Sequence, residues 1–240
     1  DYSEADLKSF LNSQESTNNK KRKKKVTINN SSNYYDYEKE RKKGGEYNKK
    51  YLLNRNLQEA EKFYELHDHQ YAQKFYTNAI ESSEFKYLLS TQRLNAFTKR
   101  GISFLKLKQF DKAINDFNSA IKIDSGYSIA YFNRGICNLR KENWLNSIID
   151  FNKAIVFNKS SDPEYYYFRG LAKNGFKEYE DALNDFETAI SMEPFRVSFK
   201  DAKNFTLGKL KKKAEKDRKE REKLEKDRKE RERAEKAEKD

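Results

Sequence analysis

Residues able to do chemistry are few. Histidine occurs twice, at His67 and His69, and cysteine once, at Cys137. A structural zinc needs about four nitrogen or sulfur ligands, and a lone cysteine closes no internal disulfide. No nucleophile stands at a recognisable spacing from a base, and no glycine-rich loop is shaped for phosphate. No catalytic residue, cofactor or metal ligand is therefore expected, and the chain reads as no enzyme. What does recur is a cation with a carboxylate. Arg100, Arg134 and Arg169 are each followed sixteen residues later by an aspartate: Asp116, Asp150 and Asp185. These could form a ladder of cations for acidic ligands or an ion pair inside each structural unit. Both partners repeat together, which points to the pair. A second concentration of charge is the run Lys20, Lys21, Arg22, Lys23, Lys24 and Lys25. Such a run suits a nuclear import signal, a weak grip on nucleic acid or an acidic protein tail, or a solvated linker.

The elements that would position these groups follow from the spacing around each arginine. Each precedes a glycine: Gly101, Gly135 and Gly170 are 34 and 35 residues apart. Four residues before each glycine stands Phe97, Tyr131 or Tyr166, and nine after it Phe110, Trp144 or Tyr179. A small residue follows at twelve (Ala113, Ser147, Ala182), phenylalanine at sixteen (Phe117, Phe151, Phe186) and alanine at nineteen (Ala120, Ala154, Ala189). Apolar positions at three- and four-residue intervals predict two amphipathic helices per unit, separated by turns such as Lys108-Gln109 and Glu142-Asn143. Such hairpins cannot bury their faces alone and must stack.

Over residues 94–196 this spacing resembles the tetratricopeptide repeat. The expected fold is all-α: a tetratricopeptide-like solenoid of three clear hairpins (94–127, 128–162, 163–196) and one degenerate hairpin (51–93). A capping helix (197–210) and a charged helix or tail (211–240) follow, and a disordered basic stretch (1–50) precedes. In the degenerate unit Ala72, Tyr76, Ala79 and Ile80 match the second helix, with Ala60 in place of the glycine. Its seven-residue insertion near Lys86–Gln92 is expected to lengthen the helices at that joint. Pro194 ends the last repeat, and Phe195, Phe199, Ala202 and Phe205 are expected to line one side of the cap.

Charge is distributed unevenly. Residues 51–206 carry 22 basic and 20 acidic groups, so ten of the twelve net positive charges lie in the flanks. The pI near 9.4 therefore describes the tails and not a basic face on the folded part. In the C-terminal tail Glu-Lys-Asp-Arg-Lys-Glu-Arg-Glu occurs twice, and seven acids precede a base by four residues, among them Glu215–Lys219, Asp217–Arg221 and Glu225–Lys229. Ala214, Leu224 and Ala234, ten residues apart, do not form one stripe, so no coiled-coil seam is expected. The segment resembles the isolated charged helices of motor and cytoskeletal proteins and would reach about 40 Å. Near the start, Ser3 and Asp6 have capping-box spacing ahead of Leu7, Phe10 and Leu11.

The resemblance implies that first helices line a concave groove that receives a peptide or helix. Carried over, the groove residues are Thr98, Lys99, Ile102, Phe132, Asn133, Ile136, Tyr167, Phe168 and Leu171, bordered by Lys106 and Arg140. They suit a protein partner with apolar anchors and some acidic character. Chaperone-binding relatives grip a terminal carboxylate with lysine, asparagine and arginine. Here the corresponding positions include Leu57, Glu61 and Ile129, or Ile102, Glu164 and Phe168, which oppose that mode. The expected function is a protein-interaction scaffold or adaptor within a larger assembly. The alternatives are a nucleic-acid- or microtubule-associated protein acting through its flanks, and a co-chaperone with a non-standard groove. With no run of about eighteen apolar residues, no membrane span is expected. A reducing interior, cytoplasmic or cytoskeletal, fits best, with nuclear entry open through the basic run. A start at Asp1 and a single methionine, Met192, suggest a segment of a longer protein.

Overall fold

The three- and four-residue spacing of apolar positions is realised as α-helix in the computed structural model, which describes residues 46–158 and 162–237. The helices are α1 (Glu46–Glu65), α2 (His69–Ile80), α3 (Ser90–Lys106), α4 (Phe110–Ile123), α5 (Ser128–Arg140), α6 (Trp144–Phe157), α7 (Pro163–Gly175), α8 (Tyr179–Met192) and α9 (Val197–Ala237). Among the described residues there is no strand. Helix α1 begins five residues inside the stretch expected to be disordered. The Ser3–Asp6 box and the run Lys20–Lys25 lie outside the described residues.

Pairs α1–α2, α3–α4, α5–α6 and α7–α8 form four hairpins, and one turn is used four times. His67, Lys108, Glu142 and Lys177, each seven residues after Ala60 or a repeat glycine, have φ between 58° and 69°. Around Lys108, the Gln109 N–H donates to the Phe104 carbonyl at 2.8 Å and the Lys108 N–H to the Leu105 carbonyl at 3.0 Å. The same two bonds close the other three turns. This is the Schellman arrangement, which satisfies carbonyls left over at a helix end. Side chains cap two starts: Asp68 accepts from the Tyr71 N–H at 3.2 Å, and Asp162, before Pro163, accepts from the Glu164 N–H at 2.9 Å.

Inside each hairpin the phenylalanine ring lies against the glycine of the facing helix. A Cβ on Gly101, Gly135 or Gly170 would stand 2.8, 2.8 or 2.7 Å from Cε1 of Phe117, Phe151 or Phe186. Those rings and the alanines flanking them are fully buried. Ser147 occupies one small position and donates its hydroxyl to the Gly135 carbonyl at 2.9 Å, so no polar group is stranded there. Between hairpins, Trp144 covers Gly175, where a Cβ would stand 2.6 Å from Cε3. The degenerate hairpin repeats the plan with Ala60, Ala72, Tyr76 and Ala79, all buried.

The insertion divides into two parts. Helix α3 has 17 residues against 13 in α5, as lengthening requires. The remainder forms a 3-10 turn, Phe85–Tyr87, pinned by the buried Phe85 edge-on to Phe97 at 5.4 Å.

First helices touch in succession, α1 to α3, α3 to α5, α5 to α7 and α7 to α9, whereas the second helices make no comparable contact with one another. The first helices are therefore the inner layer of a curved stack. Helix α9 takes the inner-layer place after α7, with Phe199, Ala202 and Thr206 buried. Phe195, expected to share that face, is 94 % exposed, because the helix starts only at Val197 and Phe195 falls in the preceding turn. Thr206 is the inward residue instead, accepting from Asn174 Nδ2 at 2.6 Å. Helix α9 then runs unbroken for 41 residues, about 60 Å. Glu215–Lys219 and Glu225–Lys229 close at 2.7 Å. Arg221 instead donates to the backbone carbonyl of Asp217 at 3.3 Å.

Two substitutions test this packing by urea unfolding. Gly135→Ala improves helix propensity yet pushes on the Phe151 ring, and a net loss of about 1–2 kcal/mol is expected. Glu142→Gly relieves a left-handed residue and should gain about 0.5–1 kcal/mol.

Candidate functional site

The inner layer brings most of the expected groove residues together, but not on equal terms. Lys106 is exposed, and Lys99, Ile102, Phe132, Asn133, Ile136, Arg140 and Phe168 are half-buried. Tyr167 and Leu171 are only 5 % and 2 % exposed, and Thr98 is buried as well. The first turns of α9 cover Tyr167, whose ring lies 4.8 Å from Phe199. Tyr167 and Leu171 are thus core residues beneath the cap, which corrects their assignment to an open groove. Burial also raises the pKa of the Tyr167 hydroxyl.

Toward the C-terminal end the surface is a cluster of rings. Phe132 stacks on Tyr165 at 4.3 Å and meets Phe168 edge-on at 5.5 Å. Such rings present rigid apolar area at low entropic cost. Asn133 turns its amide back onto its own helix, donating to the Ile129 carbonyl at 2.8 Å.

Toward the N-terminal end the groove is polar and internally satisfied. Glu61 accepts from Lys99 and from the Tyr76 hydroxyl, and the Lys99 ammonium sits 5.3 Å from the centroid of Tyr64. Burial, reinforced by the bond to Glu61, raises the pKa of Tyr76.

The three arginines are engaged by carboxylates inside the stack. Arg100 binds Asp116 through Nε at 2.8 Å and Nη2 at 2.6 Å. Arg134 and Arg169 hold Asp150 and Asp185 in the same two-pronged way. Each also reaches the preceding hairpin: Arg100 to Thr77 at 3.3 Å, Arg134 to Asn118 at 2.5 Å and Arg169 to Asn152 at 2.8 Å. Asn138 and Lys173 supply Asp150 and Asp185 with a further donor at 2.9 Å. The corresponding residue beside Asp116 is Phe104. Burial there pushes the Asp116 carboxyl pKa up, against the opposing pull of Arg100.

The tetratricopeptide repeat family model matches residues 94–127 and 163–196, which hold α3–α4 and α7–α8. Those two hairpins match the tetratricopeptide repeat. Solved structures of similar fold include MamA from Desulfovibrio magneticus RS-1, residue 41 to its end, at 14 % identity and a TM-score of 0.55, covering 70 % of this chain and 96 % of that one. A double mutant of MamA from RS-1 gives 14 % identity and a TM-score of 0.59 over 66 % and 85 %. YrrB, described as a tetratricopeptide repeat protein with an unusual peptide-binding site, gives 16 % and 0.54 over 60 % and 71 %. At these identities the likeness is one of fold. No curated protein matches the chain.

Cys137 is buried, and burial with the nearby Asp150 carboxylate pushes its thiol up to about 12, leaving almost no thiolate at neutral pH. Burial, and then Lys106, lowers the pKa of His69. Among the described residues no three His, Cys, Asp or Glu side chains converge as a metal site. Two contributors escaped the sequence pattern. Tyr165 joins the ring cluster from a position not expected to face the groove. Arg196 ties the turn before α9 to Glu164 at 2.5 Å and Glu193 at 3.2 Å. Neither residue type recurs at its position in the other repeats, where Ala96 and Ala130 stand for Tyr165, and Tyr127 and Ser161 for Arg196, so periodicity carries no signal for it.

Because folded Asp116 holds its proton more tightly than unfolded aspartate, its ionisation subtracts from stability above the folded pKa, a loss relieved as pH falls through it. Arg100→Met alone should therefore destabilise by about 3–5 kcal/mol, leaving a buried charge without its partner. The double variant Arg100→Met with Asp116→Leu should recover most of that loss in denaturant titrations. Cys137 should react with a thiol reagent only as fast as the repeats open, which mass spectrometry with and without denaturant would show.

Proposed function

We propose that this chain is a non-catalytic scaffold whose inner face holds a segment of a partner protein, a peptide or a helix with apolar anchors beside acidic groups. The observation that carries this reading is the half-buried strip of Ile102, Ile136, Phe132 and Phe168 on one face of adjacent first helices, with Lys106 and Arg140 along its border. A half-buried apolar strip gains by further burial, and cations at its edge favour acids flanking the anchors. Lys99, already engaged by Glu61, makes this groove a poor grip for a bare terminal carboxylate. Helix α9 would serve as a strut that sets the stack at a distance from whatever follows in a larger assembly. No helix among the described residues is long and apolar enough to cross a membrane, and a cytoplasmic or cytoskeletal setting suits this role.

Selection of displayed peptides on the whole chain tests the reading. Enriched peptides should place aromatic or aliphatic residues next to Asp or Glu. Their affinity should fall about tenfold on Ile136→Ser, equivalent to about 1.4 kcal/mol, and fall less on Lys106→Ala. Binding indifferent to Ile136→Ser but abolished by deleting residues 20–25, with a steep dependence on salt, would replace the groove with the basic flank as the binding element.

A further inference from the structure

The flank that leads into α1 contains one short stretch with the chemistry that the groove suits. In residues 1–45 leucine and phenylalanine occur only at Leu7, Phe10 and Leu11, the last two standing three and four residues after the first. At that spacing the three would share one side of a helical turn. Asp1, Glu4 and Asp6 precede or flank them against the single base Lys8, whereas residues 12–45 hold ten bases and four acids. Tyr34, Tyr35 and Tyr37 also neighbour acids, but no aliphatic residue stands among them. Aliphatic and aromatic anchors together beside acids are thus confined, within this flank, to residues 1–11.

The groove offers the complement. Ile102, Ile136, Phe132 and Phe168 form its half-buried strip, and Lys106 and Arg140 each stand four residues after an isoleucine of that strip, one helical turn on along the same face. Two leucines and a phenylalanine suit such a strip, and acids beside them suit its cations. The connection is long enough. Residues 12–45 span about 50 Å even as a single helix and about 110 Å when extended. Helix α1 neighbours α3 and α3 neighbours α5 in the inner layer, so at about 9 Å per helix pair the strip on α5 lies about 20 Å from α1. Helix α1 is itself about 30 Å long, which keeps the strip within about 40 Å of Glu46.

We infer, on the reading that the inner face holds an apolar-anchored segment, that this chain's own residues 1–11 occupy the groove. Leu7, Phe10 and Leu11 cover the apolar strip, and the acids beside them lie toward Lys106 and Arg140. A partner then binds only by displacing the segment. Tethering supplies an effective concentration of about 1 mM. A segment with a Kd of about 100 µM on its own keeps the groove about tenfold more often filled than open, and a competing partner's affinity falls about tenfold.

Two measurements on the full chain test this. With a nitroxide label on Lys8→Cys, and Cys137 buried and so left unlabelled, the methyl signals of Ile102 and Ile136 should broaden, while those of Ile149, exposed on the outer helix α6, should not. Leu7→Ser with Phe10→Ser should abolish that broadening and raise the affinity for peptides selected on the groove about tenfold. Broadening that fades on dilution would put the segment in the groove of a second copy and overturn the intramolecular contact. Suppose Ile136→Ser weakens the selected peptides, yet Ile102 and Ile136 stay sharp and the double variant changes no affinity. The self-filled groove is then overturned and the groove itself stands. If neither the selected peptides nor the label touches Ile136, both fall.

Discussion

The contact on which the rest of the structure depends is a phenylalanine ring laid on a glycine backbone, made by Phe117, Phe151 and Phe186 on Gly101, Gly135 and Gly170. No side chain fits between ring and backbone, so the two helices of a hairpin approach as closely as their backbones allow. That closeness in turn demands the small residues at Ala113, Ser147 and Ala182 and at Ala120, Ala154 and Ala189, all buried. A hairpin so thin has no interior of its own and must bury its remaining apolar faces against its neighbours. The stack is the consequence of the ring contact.

Register between hairpins is set by polar groups. Each arginine is satisfied only when its own aspartate and the Thr77, Asn118 or Asn152 of the preceding hairpin are both in reach. A hairpin that slipped by one turn would strand a guanidinium and a buried carboxylate together. Buried ion pairs contribute little net stability against an apolar alternative, and their best-attested value is in specifying one arrangement. The raised pKa of Asp116 fits that view, because there the cost of burying the carboxylate outweighs what Arg100 returns.

Most of the hairpin architecture was legible in the sequence, because glycine, alanine and phenylalanine at fixed offsets report directly on the helix-to-helix distance. The turns were legible as positions, though not as left-handed residues, since Lys108, Glu142 and Lys177 are not types that favour positive φ. The face proposed to hold a partner was less legible. A half-buried groove residue such as Ile136 and a core residue such as Leu171 share one position in adjacent repeats, and only the cap that covers the second separates them. Phe195 was misplaced for a related reason. Helical spacing assigns it to the face of Phe199, but spacing does not say where the helix begins.

The same ring contact explains why the stack ends where it does. Lys203 and Asn204 fall 34 residues after Arg169 and Gly170, so α9 begins as a fifth first helix, and Lys203 reaches back to Glu187 much as Arg169 reaches back to Asn152. Asn204 then puts a side chain where the ring would have to lie. The positions twelve, sixteen and nineteen residues further on hold Lys216, Glu220 and Lys223, where a second helix would need a small residue, phenylalanine and alanine. No chain reversal could be repaid by burial, so the helix continues straight as a charged rod. Lys200, Asn204 and Lys211, all exposed, keep the uncovered side of α9 polar where another helix would have packed. The array is closed by a repeat that keeps the arginine's role and discards the glycine's.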